Sequence, residues 1–314
     1  MTETELRKLI VKIAIYYYQE NMNQAQIAKN LDISRPMISR YLQKAKDLGI
    51  VNIYINDKNY HVAQMESKIE KQFNLKKVII TQSLELSKDE VLLAVVRSSI
   101  NYLKRNLEDK KNVGISWGNT LRVLAREFPY ESLNHLNLVP LIGGMGNQYI
   151  SYHSNQICYD LRNKFQCKSN FLYSPALIKE NKFLNIIKQN DSIKEIMQKG
   201  KQVDMALVGI STPYINNIMK EVGFFSENDS EEASRLKGIG DINSRIFDES
   251  GREIDCAINR SVVGITLEDI KKIPHVVGIA SGQEKQKSIL TAVKAGMVDV
   301  LITDDKVGEY LLNA

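Results

Sequence analysis

The first residues with binding chemistry lie near the amino terminus, where residues 34–40 have the sequence Ser-Arg-Pro-Met-Ile-Ser-Arg. Arginine can donate two parallel hydrogen bonds to guanine O6 and N7, and serine and glutamine suit phosphates and base edges. The segment therefore predicts DNA contacts, and the alternative is the basic, solvated face of a protein-interaction module. The candidate DNA-contacting residues are Gln24, Gln26, Ser34, Arg35, Pro36, Ser39, Arg40, Gln43 and Lys44.

The charge distribution favours the same assignment. The chain has 42 Lys and Arg against 37 Asp and Glu, a net charge of +5. Residues 1–60 hold nine of these cations against six anions, so about a fifth of the chain carries more than half of the excess. A local excess of cations is the electrostatic property expected of a nucleic-acid-binding segment.

A second group of candidate residues follows a predicted strand, at residues 114–120, Gly-Ile-Ser-Trp-Gly-Asn-Thr. Amides at the start of the next helix, with the Ser116, Asn119 and Thr120 side chains, would form a cradle for an anion such as a sugar phosphate. No lysine follows the glycines as a Walker motif requires. A strand-turn-helix junction without a ligand is the alternative interpretation.

Other predicted turns carry further candidates. The pair Gly143-Gly144 would let a ligand approach the backbone, and Lys285, shortly after Gly282, could pair with phosphate as a point charge. Asp241 could accept hydrogen bonds from sugar hydroxyls, and His153 follows the glycine pair. Ordinary structural roles for the last three are a turn or cap for Asp241, a solvated helix cation for Lys285 and a packed histidine for His153.

The elements that would position the DNA-contacting residues are three short helices. Apolar spacing predicts a first helix around Leu6 to Tyr17, a second over residues 24–31, and a third that begins after Ser34 and ends at Gly49. The alternation of Val51, Ile53 and Ile55 then predicts a strand, the wing of a winged helix-turn-helix. One such motif binds weakly, so we expect a dimer or larger assembly.

From residue 77 onward, short β-rich runs alternate with helical stretches, which predicts βαβ units and a mainly parallel, doubly wound sheet. Binding sites in such sheets lie at the carboxyl ends of the strands. The predicted domains are a DNA-binding domain over residues 1–58 and an effector domain over residues 59–314. The predicted strands are 78–81, 112–116, 138–142, 171–173, 205–210, 276–280 and 300–303, and helices are predicted at 89–107, 119–128 and 154–165.

Composition limits the class of protein. At about 150 residues per domain, 314 residues predict two domains. The three cysteines are widely spaced, which indicates neither a disulfide framework nor a zinc site. No apolar run is long enough to span a bilayer. We therefore expect a cytoplasmic protein with no membrane association, no metal ion and no cofactor.

In this order along the chain, the motifs resemble the SorC/DeoR family of bacterial sugar-responsive transcriptional regulators. The resemblance implies an α/β effector domain with the fold of sugar-phosphate isomerases and deaminases, a tetramer, and operator binding controlled by a phosphorylated sugar. It rests on 26–28 and 33–42, 114–120, Gly143-Gly144, 240–242 with 247–248 and Gly251, and 282–285 with 300–304. The candidate effector-binding residues are Ser116, Trp117, Gly118, Asn119, Thr120, Gly143, Gly144, His153, Asp241, Gly282 and Lys285.

One position departs from the family pattern. Some relatives have Lys or Arg immediately before the glycine pair, where it forms a Schiff base or binds a second phosphate, and this chain has Ile142. Imine formation with the sugar is therefore not expected, and binding of a bisphosphate is less favoured.

Three functions follow from these patterns. The first is a regulator of a carbohydrate operon, either a repressor or an activator. The second is an isomerase or deaminase, which needs a placed acid and base, whereas His61, His135, His153 and His275 form no cluster in the sequence. The third is a sugar-phosphate-binding protein whose helical head contacts protein. We favour the regulator and expect no enzymatic activity.

Overall fold

The computed structural model describes residues 2–57, 59–144, 146, 149–214, 218–221, 223 and 225–314. The chain folds as two compact units that divide between Tyr60 and His61. The predicted boundary between the two domains follows Lys58, which lies outside the described residues. Within the described ranges, no helix is both long and apolar enough to cross a membrane.

The first unit is helical, as predicted. Its helices α1 (Glu3–Tyr18), α2 (Gln24–Leu31) and α3 (Arg35–Asp47) pack around Ile13, Ile27 and Ile38, which are fully buried. Asp32 ends α2 in the left-handed region, and Pro36 lies in the first turn of α3, where a backbone amide has no intrahelical partner.

The predicted wing is wrong for this structure. Residues 51–57 are irregular, and Ile53 and Ile55 are 59% and 63% exposed. The sequence alternates as a strand does, but a strand needs a neighbour for its backbone hydrogen bonds. The regular elements among residues 2–57 are the three helices, so no second strand is present there to pair with it.

The second unit contains a seven-stranded sheet in which all neighbours are parallel. The strand order is β1-β9-β8-β5-β2-β3-β4. The chain moves outward from β2 through β3 to β4 and then returns to the other side of β2 as β5. The strands are β1 (Lys77–Thr81), β2 (Asn112–Ile115), β3 (Asn137–Pro140), β4 (Lys168–Ser169), β5 (Met205–Gly209), β8 (Val276–Ile279) and β9 (Val300–Asp304).

Helices cover both faces of this sheet, which is the doubly wound arrangement predicted. In β9, Val300 and Ile302 join one apolar core while Leu301 joins the other, so successive side chains are buried on opposite faces. The helices are α4 (Tyr60–Phe73), α5 (Lys88–Asn106), α6 (Asn119–Glu127), α7 (Ser154–Phe165), α8 (Asn181–Gln189), α9 (Asp191–Lys201), α10 (Ile218–Glu221), α11 (Glu227–Arg235), α12 (Ala257–Ser261), α13 (Leu267–Lys271), α14 (Gln286–Lys294) and α15 (Asp305–Leu312).

The strand predicted at residues 171–173 is also wrong, because the edge strand β4 lies earlier. Beyond β4 the backbone of Leu172 bonds to a side chain rather than to a strand. Its amide donates to Asn155 Oδ1 at 2.9 Å, and its carbonyl accepts from Asn155 Nδ2 at 3.0 Å. The side-chain amide thus replaces the strand neighbour that Leu172 would otherwise need.

A small antiparallel hairpin, β6 (Gly240–Ile242) and β7 (Arg245–Phe247), lies outside the main sheet. Its two turn residues, Asn243 and Ser244, have φ of 55° and 61°, the conformation of a type I′ turn. Buried Asn259 braces the hairpin: Nδ2 donates to the Ile246 carbonyl at 2.7 Å, and Oδ1 accepts from the Ile246 amide at 2.8 Å. The hairpin places Asp241 beside the carboxyl edge of the sheet through backbone bonds to Ser211 at 3.0 Å.

Replacing Asn259 by alanine should lower the free energy of unfolding by about 3 kcal/mol, because buried backbone groups of the hairpin lose their partners. Asn313→Ala is the matched control, since that exposed amide makes one bond to the Glu309 carbonyl; its effect should stay within about 0.5 kcal/mol. Urea denaturation measures both. Equal effects of the two substitutions would show that Asn259 does not support the hairpin.

Candidate effector-binding site

The candidate site lies where the strand order reverses, between β2 and β5. Ligands of open parallel sheets bind outside the carboxyl ends of the strands at such a point. Here a small inner cavity of about 90 Å³ lies at the ends of β2 and β5. It is lined by Ser116, Trp117, Gly118, Asn119, Thr120, Gly209, Ile210, Ser211, Asp241, Asn243 and Lys285.

The start of α6 forms one wall of the inner cavity. Gly118 has φ of 107°, a conformation that strongly favours glycine, and the first intrahelical bond joins the Arg122 amide to its carbonyl at 2.9 Å. The amides of Asn119 and Thr120 precede that bond, so they and the positive end of the helix dipole are available to an anion. This wall suits a phosphate group.

Asp241 contributes an acidic wall to the same cavity. Its side chain is 6% exposed, and its Oδ1 has no hydrogen-bond partner among the described residues. Burial raises the pKa of this carboxyl to about 6, although the Lys285 ammonium and the Ser244 backbone amide act in the opposite direction. A buried carboxylate oxygen without a donor is costly, so the group is suited to accept a hydrogen bond from a ligand hydroxyl.

Lys285 supplies the cation of the inner cavity. Its burial lowers its pKa, and the Glu284, Asp241 and Asp304 carboxylates counteract this effect. None of the ion pairs within 4 Å among the described residues uses Lys285. Its ammonium and the Asp241 carboxylate therefore give the cavity one charge of each sign.

A larger outer cavity of about 330 Å³ shares Asn119, Thr120 and Lys285 with the inner one. Leu86 and Leu92 contribute apolar surface to it. The shared residues make the two cavities adjacent parts of one site. The remaining lining is Ser83, Lys88, Asp89, Val91, Ser281, Gly282, Gln283, Glu284, Asp304 and Lys306.

Most of the acidic groups in the outer cavity already have partners. Glu284 pairs with Lys88 at 2.5 Å. Asp304 accepts the Gly282 amide at 2.8 Å and the Val307 amide at 3.0 Å, which fixes the start of α15 and the loop after β8. The loop is thereby held in the geometry that brings Lys285 to the inner cavity.

Three predicted effector residues lie elsewhere. Among the described residues that line the two cavities, Gly143, Gly144 and His153 do not occur. Gly143 is packed so closely that a Cβ atom would overlap the Ser174 carbonyl oxygen. His153 is buried at the start of α7 and borders a surface groove with Tyr159 and Tyr173. The remaining predicted residues, from Ser116 to Thr120 with Asp241, Gly282 and Lys285, are brought together.

Sequence reasoning missed several lining residues. Ser83 and Lys88 follow β1, while Gly209 ends β5 and Ile210 and Ser211 follow it, so the rule that sites lie at strand ends could have found them. Asn243 gave no such signal, because its role depends on the hairpin. Its Oδ1 accepts from the Ser116 hydroxyl at 2.9 Å and its Nδ2 donates to the Leu141 carbonyl at 3.1 Å, which joins the hairpin to β2 and β3.

The candidate DNA-contacting residues lie on α2, on α3 and at the N-cap of α3, and all but Gln24 are exposed. Arg35, Ser39 and Arg40 are exposed in the first half of α3. Gln26 is exposed as well, but its Oε1 accepts the Asn23 amide at 2.9 Å in a capping box. Gln24 is partly buried, while Ser34, Pro36, Gln43 and Lys44 are exposed.

The fold and the site define an α/β ligand-binding domain that follows a small helical unit. Residues 57–313 match the family model described as "Putative sugar-binding domain". The chain is 32% identical to the sorbitol operon regulator of Klebsiella pneumoniae over 97% of this chain and 98% of that protein. It is 28% identical to the deoxyribonucleoside regulator of Bacillus subtilis (strain 168) over 99% of each.

Two solved structures are also similar to this chain. The full-length sorbitol operon regulator SorC from Klebsiella pneumoniae superposes with a TM-score of 0.76 at 32% identity, over 97% of this chain and 98% of that one. A DeoR family transcriptional regulator from Listeria monocytogenes gives 0.76 at 38% identity, over 79% of this chain and 98% of that one. The chain belongs to the SorC/DeoR family of regulators.

Replacing Asp241 by asparagine should stabilise the unliganded protein at pH 8 by about 2 to 3 kcal/mol, since a shift of one pKa unit corresponds to about 1.4 kcal/mol. Above pH 6 the Asp241 carboxyl is ionised in both the folded and the unfolded protein, and the folded protein bears the full cost of burying the charge. Between pH 6 and the ordinary pKa near 3.8 the Asp241 carboxyl is protonated only in the folded protein. The stabilisation by Asp241→Asn should therefore decline as the pH falls through this range.

Urea denaturation of the parent and of Asp241→Asn from pH 4 to pH 8 measures this difference. Asp255→Asn, which changes an exposed carboxylate, is the control and should show no such rise with pH. A parent that is as stable as Asp241→Asn at pH 8 would contradict the assignment of a costly buried charge.

Proposed function

We propose that this protein is a sequence-specific DNA-binding transcriptional regulator of a carbohydrate operon, controlled by a phosphorylated sugar bound at the strand-end site. Residues 1–58 would act as the DNA-binding domain and residues 59–314 as the effector domain. The protein would work in the cytoplasm as a homo-oligomer, a tetramer by resemblance to its family. The relatives named above as operon and nucleoside regulators support this assignment.

The observation that carries the effector proposal is the unpartnered, buried Oδ1 of Asp241, a residue that lines the same cavity as the start of α6 and Lys285. A phosphorylated sugar matches both walls: the phosphate accepts from the amides and from Lys285, and a hydroxyl donates to Asp241. The inner cavity is small, so the rest of the sugar would extend into the outer one. The effector domain would share its fold with sugar-phosphate isomerases and deaminases.

The DNA-binding proposal rests on α2 and α3. Two short helices joined by a tight turn, the second with exposed arginine and serine at its start, have the form of a helix-turn-helix. The Ser34 side chain makes no capping bond, so its hydroxyl is available to DNA. In this proposal the first half of α3 lies in the major groove.

An enzymatic function has one observation in its favour, the pKa of Asp241 near 6, which suits a general acid or base. The described lining of both cavities contains no histidine, and Asp304 is occupied by two backbone amides. We propose that Asp241 binds a hydroxyl and transfers no proton. Incubation with phosphosugars, followed by proton NMR, tests this, because isomerisation or loss of ammonia would appear as new signals.

Lys285→Ala should abolish the thermal stabilisation that phosphosugars give the parent, because the phosphate loses its cation. Lys287→Ala is the matched control, since Lys287 is exposed two residues further along the chain and lines neither cavity. A differential scanning fluorimetry panel of phosphosugars measures the shifts. If Lys285→Ala and the parent shift equally, Lys285 does not bind the phosphate.

Arg40→Ala should weaken operator binding by about 1–3 kcal/mol if Arg40 contacts a base. Lys8→Ala removes an exposed charge from α1 instead and should have a smaller, sequence-independent effect. Fluorescence anisotropy with operator DNA, recovered by capture from fragmented genomic DNA, measures both. Unchanged affinity of Arg40→Ala would remove this residue from the interface.

The same capture experiment separates the regulator from the sugar-phosphate-binding protein. A regulator enriches a few genomic fragments, and a phosphosugar changes that enrichment. A sugar-phosphate-binding protein with a protein-interaction head is stabilised by the sugar but enriches no fragment. Absence of both enrichment and stabilisation would contradict the proposal.

A further inference from the structure

The segment that follows α3, residues 51–57, has the sequence Val-Asn-Ile-Tyr-Ile-Asn-Asp. Its backbone is irregular, yet Val51, Ile53 and Ile55 alternate with Asn52, Tyr54 and Asn56. In an extended strand the first three side chains would lie on one face and the other three on the opposite face. Ile53, Tyr54 and Ile55 are 59%, 87% and 63% exposed. Three consecutive large side chains are thus left in water, in a pattern that belongs to a β-strand.

Such a segment is completed by a partner strand. The first unit does not supply one from its described residues, which form three helices. DNA is a poor partner for it, because residues 51–57 include the carboxylate of Asp57 and no lysine or arginine to meet phosphates. The partner that fits is therefore another polypeptide strand with an apolar face.

The segment is complementary to itself. In an antiparallel pair with a two-fold axis at Ile53, Ile53 faces Ile53 of the partner subunit, and Val51 and Ile55 face each other across the two strands. All three apolar positions then meet apolar positions on one face. On the other face Asn52 lies opposite Tyr54 of the partner subunit. No charged residue is brought opposite a like charge, which would destabilise such a pair.

We propose that residues 51–55 form a two-stranded antiparallel ribbon with the same residues of a second copy, with Ile53 on the two-fold axis. Each cross-strand pair contributes on the order of 0.2–1 kcal/mol. The ribbon therefore orients the two helical units and does not hold the oligomer together alone. Because α3 ends at Asp47, only a few residues separate the ribbon from each recognition helix, which would fix their spacing on a two-fold operator if the proposed function is correct.

Ile53→Cys tests the ribbon and its register. Residues opposite each other in an antiparallel pair have Cα atoms about 4.5–5.5 Å apart, within the range that a disulfide spans. The native Cys158, Cys167 and Cys256 are buried, so the parent should give little background. Under mild oxidation without DNA, most Ile53→Cys protein should run as a covalent dimer on a non-reducing gel.

Tyr54→Cys is the register control, because it faces Asn52 of the partner subunit and should cross-link several-fold less. Asn30→Cys, on the exposed surface of α2, is the control for random collision and should match the parent. Stronger cross-linking of Tyr54→Cys than of Ile53→Cys, or equal cross-linking of all three, would overturn the proposal. So would an Ile53→Cys protein that stays uncross-linked and is shielded from a maleimide by genomic DNA, which would place the segment on DNA.

The proposal can also fail independently of the DNA-binding function, since the oxidation is carried out without DNA. A charge-pair experiment gives a second readout. Ile53→Lys and Ile53→Glu should each remain apart at the ribbon through like-charge repulsion. An equal mixture of Ile53→Lys/Val51→Cys and Ile53→Glu/Ile55→Cys should restore cross-linking, and failure of both this mixture and Ile53→Cys to cross-link would overturn the ribbon.

Discussion

A carboxylate held out of water with one oxygen unpaired raises the free energy of a folded protein, and Asp241 imposes that cost on this effector unit. The cost is present whenever the site is empty and, in the function proposed above, would be removed when a ligand hydroxyl reaches Oδ1. Part of the binding free energy would thus be stored in the fold. The same oxygen would discriminate among ligands, since a group that cannot donate leaves it unpaired.

The elements around Asp241 hold it in this position. Asn243, in the turn of the β6–β7 hairpin, bonds to Ser116 and to the Leu141 carbonyl, which joins the hairpin that carries Asp241 to the residues after β2 and β3. Buried Arg245 donates to the carbonyl groups of Asn259 and Gly264 at 2.7 and 3.0 Å and anchors the other side of the hairpin. Asp304 fixes the loop that carries Lys285. Rigid placement of opposite charges favours one orientation of a ligand with an anionic end and a hydroxylated end.

Much of this arrangement could be predicted from the sequence, because it depends on local patterns. The parallel strands are short, continuous apolar runs, and the helices between them have clear apolar faces, so residues 154–165 were predicted with both bounds of α7. Ser116 to Thr120 follow such a run directly. The failures are non-local. The hairpin depends on the Asn259 side chain, Leu172 bonds to Asn155, and residues 51–57 have a strand pattern without a partner in their unit. Gly143 was predicted from its type to line the pocket, whereas close packing on Ser174 gives another reason for a glycine.

The central claim is that occupation of the strand-end site and binding of operator DNA are linked. Linkage requires that the effector change operator affinity by the same factor by which the operator changes effector affinity. Fluorescence anisotropy with and without saturating phosphosugar, and calorimetric titration of the phosphosugar with and without saturating operator, give the two factors. We expect equal factors of at least about fivefold, as is typical of allosteric coupling. Operator affinity that does not change while the phosphosugar is bound would contradict it.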